Sequence, residues 1–199
     1  MYSDEEGEIA VKAARKVIDS YVGEGSIPEI EFPPSFDRPS GVFTTINTYP
    51  ERMLRGCIGF PGPYFPLKEA LVKSAIEAAT SDPRFYPLAP EELDHIVVEV
   101  SLLTPPRLIE VKNPKEYLKK IVVGRDGLIV QKGFARGLLL PQVPVEENWD
   151  VEDFLRGTCM KAGLPANCWK DRKTKIFSFS GEVFSEKTPR GEIYRKELI

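Results

Sequence analysis

The sequence predicts an α+β fold with mainly antiparallel sheets flanked by helices, and three observations carry that prediction. Strand-like segments come in hairpin pairs. Helical segments fall between the pairs instead of alternating with single strands, which disfavours a doubly wound parallel sheet. Residues 112–141 form a helix-and-hairpin unit of their own, so two lobes are expected. The larger lobe would hold the N-terminal part and the C-terminal strand, and the smaller would centre on residues 112–165.

The first helix is expected over residues 4–22. Ile9, Ala13, Val17 and Tyr21 recur at i+4, with Ala10, Ala14 and Ile18 beside them, forming one apolar stripe. Acids crowd its first turn, where the helix dipole favours them, and Gly23 and Gly25 end it. Pro28, Pro33, Pro34 and Pro39 impose an extended surface segment with Phe32 and Phe36 as anchors. Residues 41–49 read as a β-branched strand, Pro50-Glu51-Arg52 as a turn and residues 53–60 as the return strand.

Residues 61–66 make a stiff loop carrying Tyr64 and Phe65. A helix follows over residues 67–80, with Leu71, Ala75, Ala78 and Ala79 facing inward, and Ser81-Asp82-Pro83-Arg84-Phe85 is a turn that brings a charge pair and an aromatic. Ile96, Val98, Val100 and Leu102 alternate along a strand over residues 95–103, which Pro105-Pro106 breaks. Asn113 caps a short helix with Pro114 at its first position. Asp126-Gly127 reads as a hairpin turn, with strands at residues 128–131 and 137–140. A helix over residues 152–162 stops at Gly163, and residues 176–183 form a closing strand.

Composition narrows the functional classes. The chain has 199 residues, 42% apolar and 29% charged, as in a soluble globular protein. No apolar run approaches the ~20 residues that span a bilayer, so no membrane role is expected. The acidic start, residues 1–8, lacks the pattern of a signal peptide, and a cytoplasmic location is the expectation. Cys57, Cys159 and Cys168 are an odd number without framework spacing, so reduced thiols are expected. No metal site and no cofactor are predicted. Scarce Asn and Gln with abundant Pro lean towards a hot environment. A net charge of −3 argues against a general nucleic-acid binder. Residues 111–136 are locally basic through Lys112, Lys115, Lys119, Lys120, Arg125, Lys132 and Arg136. That stretch is either a solvated face or a local anion site.

The candidate site is Leu54-Arg55-Gly56-Cys57-Ile58-Gly59 on the return strand. Alternation places Arg55 and Cys57 on one face, where a guanidinium favours the reactive thiolate. Gly56 and Gly59 allow close approach of a ligand or another chain. Against this stands a structural reading: a bulge or tight crossing at the glycines, a small buried thiol, and Arg55 holding Asp82 or a carbonyl. His95 opens a strand and makes a poor partner for Cys57. No phosphate loop or dinucleotide fingerprint is present. Cys159 reads as a buried residue on the helix face that shows Leu155, and Cys168 as packed under Trp169.

These residues resemble the signature of the AMMECR family, and the resemblance covers almost the whole chain. Gly41-Val42-Phe43 precedes the Leu54–Gly59 signature. Ser81–Phe85, Pro87-Leu88, Glu91-Glu92-Leu93 and residues 100–104 follow it, then residues 127–130, residues 139–143 and Trp149. Thr158-Cys159, residues 161–164 and Trp169 look like the prokaryotic branch. The resemblance implies two unequal lobes with a cleft near the signature, and it supplies no established activity. It implies a pathway shared with Memo-type and radical-SAM proteins, which are the partners it suggests.

The expectation is therefore a binding or adaptor protein. Its site would comprise Arg55, Gly56, Cys57, Gly59, Asp82, Arg84 and Phe85, with the loop over residues 61–66, and would hold a partner segment or a small anionic ligand. Two alternatives accompany it: an enzyme or enzyme component using Cys57 as a reactive thiol, and an RNA-binding protein using residues 111–136.

Overall fold

The computed structural model describes residues 2–196 and divides them into two compact units. One holds residues 2–103 with 182–196, and the other holds residues 104–181. Among the described residues, the strand Val42–Thr48 pairs antiparallel with Leu54–Phe60 and with Ile96–Leu103. Lys175–Glu186 pairs antiparallel with Arg107–Leu108, Asp126–Lys132 and Ile193–Lys196, and Asp126–Lys132 with Ala135–Leu139.

The first unit opens with α1 (Asp4–Glu24). Ser3 Oγ accepts the Glu6 N–H while the Glu6 carboxylate accepts the Ser3 N–H, a reciprocal cap that satisfies two free donors of the first turn. Gly25, at φ 70°, closes the helix in the left-handed region where a side chain is disfavoured. Phe36, on a 3₁₀ turn at Pro34–Asp37, is buried and stacks on Phe32. Strands β1 (Val42–Thr48), β2 (Leu54–Phe60) and β3 (Ile96–Leu103) follow, with α2 (Leu67–Thr80) between β2 and β3. Helix α2 spans the predicted residues, and its small inward positions Ala70, Ala75, Ala78 and Ala79 are buried. Together α1 and α2 cover the sheet face formed by Val42, Ile46, Val98, Val100 and Leu102.

Strand order in this unit is β2-β1-β3, so β2 is an edge strand. Thr45 lies opposite Cys57 on one side and Glu99 on the other. The register slips between Ile46 and Asn47: Ile46 faces Gly56 and Asn47 faces Leu54, leaving Arg55 as the extra residue of a bulge. The side chains of Arg55 and Cys57 go to different partners.

The second unit contains β4 (Arg107–Leu108), α3 (Tyr117–Lys120), β5 (Asp126–Lys132), β6 (Ala135–Leu139), α4 (Val143–Glu146) and α5 (Val151–Lys161). The unit boundary falls within β7 (Lys175–Glu186), and β8 (Ile193–Lys196) pairs with the end of β7 in the first unit. The core of the second unit gathers Leu128, Val130, Phe154, Leu155, Trp169 and Ile176.

Two expectations are corrected here. Asp126-Gly127 does not turn a hairpin but opens β5, whose hairpin with β6 closes at Gly133-Phe134, with Gly133 at φ 59°. The Asp126 carboxylate accepts the Val122 N–H at 2.8 Å, so it fastens the turn that precedes the strand. Cys159 and Cys168 are not reduced thiols: they form a disulfide linking α5 to the 3₁₀ turn at Cys168–Lys170. Sequence spacing gave no sign of the pairing. The fold of α5 and the following turn brings the two Cα atoms to 6.0 Å, within disulfide reach.

Candidate functional site

The site is built where α2 ends. Ser81 closes the helix and Asp82 begins a turn in which the Phe85 N–H donates to the Asp82 carbonyl at 3.1 Å. The turn returns the Asp82 carboxylate to the outer edge of β2, where it accepts the Cys57 N–H at 2.8 Å. Asp82 is only 4% exposed. Its carboxylate also accepts the Arg84 N–H at 3.1 Å and two guanidinium N–H groups, at 3.0 and 2.7 Å. These bonds to Arg84, ahead of the Cys57 N–H, hold its carboxyl well below the usual carboxylate range. Arg84 Nη2 lies 3.5 Å from the Cys57 carbonyl oxygen. Side chains thus occupy the Cys57 peptide, where a neighbouring strand would otherwise bond.

Arg55 holds neither Asp82 nor the thiol. Its guanidinium makes a two-pronged pair with Glu92, at 2.7 and 2.9 Å, and donates to the Tyr86 carbonyl at 3.0 Å. Glu92 also accepts the Ala89 N–H, so Arg55 ties the segment before β3 to the bulge of β2. The pairing lowers the Glu92 carboxyl below its ordinary value. The Phe85 ring lies 5.8 Å from the Arg55 guanidinium and 5.6 Å from that of Arg84. Beside these paired charges, Tyr86 is 91% exposed and Met53 61%, and Leu54 is exposed too.

The glycines are filled by the protein itself. A Cβ on Gly56 would lie 2.2 Å from the Ala78 carbonyl oxygen of α2. One on Gly59 would lie 2.3 Å from the Val42 carbonyl oxygen of β1. The close approach that these residues permit is made by α2 and β1.

The thiolate expectation is reversed. Burial pushes the Cys57 thiol up; the Thr45 hydroxyl and Arg84 pull it back, and Asp82 and Glu99 add to the rise. The Thr45 hydroxyl donates to Cys57 Sγ at 3.2 Å. His95 is exposed at the end of a 3₁₀ turn. Among the described residues, no three His, Cys, Asp or Glu side chains are grouped as metal ligands.

Part of the basic stretch is committed. Arg125 pairs with Asp126 and Lys132 with Asp171, each at 2.7 Å, and Lys120 donates to the Glu110 carbonyl. Among the residues that sequence reasoning left without a role, Glu92 and Thr45 matter most. Glu92 sits among several acids, and nothing local marks it as the partner of Arg55. Thr45 reaches Cys57 only through strand register.

Comparisons with known proteins cover nearly the whole chain. A family model described as AMMECR1 matches residues 11–184. A Methanocaldococcus jannaschii protein is 55% identical over 195 residues, covering 98% of this chain and 97% of its own. A Thermococcus gammatolerans protein is 56% identical over 201 residues, covering 98% of each. The crystal structure of uncharacterized protein PH0010 from Pyrococcus horikoshii is similar at a TM-score of 0.81 and 54% identity, covering 98% of both chains. No described helix is long and apolar enough to cross a membrane.

Proposed function

The chain belongs to the AMMECR1 family, and from that premise we propose that it is a binding module whose β2 edge docks a protein partner. One observation carries this reading. The charges of the site are satisfied within the protein, Arg55 by Glu92 and Arg84 by Asp82, while Met53, Leu54 and Tyr86 beside them stay exposed. Anchored guanidinium groups next to exposed Tyr and Met side chains are the composition of partner surfaces, not of solvated ones. The closed Cys57 peptide disfavours strand addition to β2, so recognition runs through side chains. Spent guanidinium charges favour a protein partner over a small anion or RNA at this site. A thiol held up by burial lacks the reactivity that the enzyme alternative needs.

The test is a peptide-display selection against the folded chain. Selected binders are then titrated against Tyr86→Ala and Met53→Ala variants of unchanged circular dichroism. Loss of about tenfold or more in affinity is expected for Tyr86→Ala, the size of a hot-spot truncation. Binders that ignore both changes, or a selection that returns none, would overturn the reading.

A further inference from the structure

A cavity of about 430 Å³ lies within the second unit. Its wall is apolar on one part, with Ile109, Val111 and Tyr117, and it includes Trp169 and Thr174. Those last two residues are 3% and 5% exposed. Among the described residues, Trp169 Nε1 and Thr174 Oγ1 are the buried side-chain nitrogen and oxygen atoms without a hydrogen-bond partner. An indole N–H can only donate, and a hydroxyl can donate or accept. A buried polar group without a partner costs free energy and calls for a reason. Here the two residues that carry these groups both belong to the lining of one cavity, and its volume falls within the ~300–1,000 Å³ of small-molecule sites.

The charges around the cavity give the sign of the occupant. Lys112, Arg172 and Lys175 line it and are exposed, and none makes an ion pair among the described residues. Of the two acids in the lining, Asp171 is committed to Lys132 at 2.7 Å and to the Lys173 N–H at 2.9 Å. Glu110 remains, so the cations outnumber the free carboxylates.

We propose that this cavity binds a small organic anion. An acceptor atom of the ligand would take the Trp169 and Thr174 donors, its apolar or aromatic body would lie along Ile109, Val111 and Tyr117, and Lys112, Arg172 and Lys175 would balance its charge. The ligand chemistry is a carboxylate or phosphate monoester on a compact apolar body. The site shares no residue with the β2 edge, so either proposal can fail without the other.

Tryptophan supplies the readout, because the chain contains only Trp149 and Trp169. A Trp149→Phe background leaves Trp169 as the single reporter. It is titrated with phenyl phosphate, phenylacetate and the neutral control benzyl alcohol, and the Trp169 indole N–H is followed by NMR. The expected result is a saturable change with at least one of the two anions, accompanied by a shifted indole N–H. The two arms distinguish a phosphate from a carboxylate ligand. Thr174→Val, which removes only the hydroxyl, should weaken that binding about tenfold, and Thr174→Ser should restore it. Failure of both anions to saturate would overturn the proposal. So would equal binding of benzyl alcohol, or an unchanged affinity in Thr174→Val.

Discussion

Asp82 receives four hydrogen bonds on its carboxylate, from the Cys57 and Arg84 backbone and from two nitrogens of the Arg84 side chain. Asp82→Asn keeps the shape but loses the charge, and a cost of roughly 1.5–3 kcal/mol at neutral pH is expected for hydrogen bonds of this kind. The sign of the pH dependence follows from the depressed folded pKa. The unfolded carboxyl titrates near its usual ~3.9, so the stabilisation is present above that pH. It is lost as the pH falls towards the folded value. Melting curves of the parent and Asp82→Asn should therefore differ most at pH 7 and converge in acid; parallel curves would contradict the assignment. Cys57 makes the opposite prediction for reactivity. Its raised pKa means slow alkylation at pH 7–8, slower than in the urea-unfolded chain and accelerating only at higher pH. Faster labelling of the native protein would restore the reactive-thiol reading. Arg55, Cys57, Asp82 and Arg84 were legible in the sequence as companions, because hairpin and turn signals bring them close. The Asp82–Arg84 charge pair was legible within its turn, but the partner of Arg55 was not: Arg55 pairs with Glu92 because a one-residue bulge and the turn after α2 decide which groups meet.

At the scale of elements, the position of α2 over β2 depends on Gly56. Its missing side chain lets the Ala78 carbonyl sit against the strand, and a backbone oxygen cannot swing aside as a flexible side chain would. Gly56→Ala should cost about 1–3 kcal/mol through displacement of α2. Urea denaturation measures the loss, and a variant as stable as the parent would show that the helix relaxes freely. The long helices α1 and α5 were readable because each combines a periodic apolar face with its own stop signal, Gly25 for α1 and Gly163 for α5, whereas the four-residue α4 carried no such pattern and went unread. The Asp126-Gly127 signal misled because the same dipeptide suits a strand start in which Asp126 bonds backward to Val122 and Gly127 lies against the Phe179 ring. The Cys159–Cys168 bridge closes a short loop, and entropy reduction in the unfolded chain gives such a link roughly 2–3 kcal/mol. The relatives from Thermococcus and Pyrococcus are thermophiles, which fits the low Asn and Gln content.

At the scale of the whole molecule, distant parts of the chain meet in one buried ion pair. Arg15 of α1 donates to Glu186 at the end of β7, with Nε–Oε1 at 2.9 Å, and its guanidinium also reaches the carbonyls of Leu93 and Ile96. Glu186 accepts the Val98 N–H at 3.0 Å, so the pair joins α1, β3 and the end of β7. Removing one partner strands a buried charge: Arg15→Met or Glu186→Gln should each cost roughly 3–5 kcal/mol, while the double replacement should cost less than their sum. Chemical denaturation of the four proteins in the cycle measures the coupling, and strict additivity would show that the pair is not coupled. Nothing local announces this network, since Arg15 lies on a helix stripe and Glu186 is 171 residues away. Periodicity, caps and the Leu54–Gly59 signature are properties of neighbouring residues, so the amino-acid order alone settled the α+β class, most elements and the family. Ion-pair choice, thiol burial, the disulfide and the unpartnered Trp169 and Thr174 depend on which surfaces close over which groups. Only the folded chain could decide those, because desolvation and hydrogen-bond geometry exist once distant segments have packed.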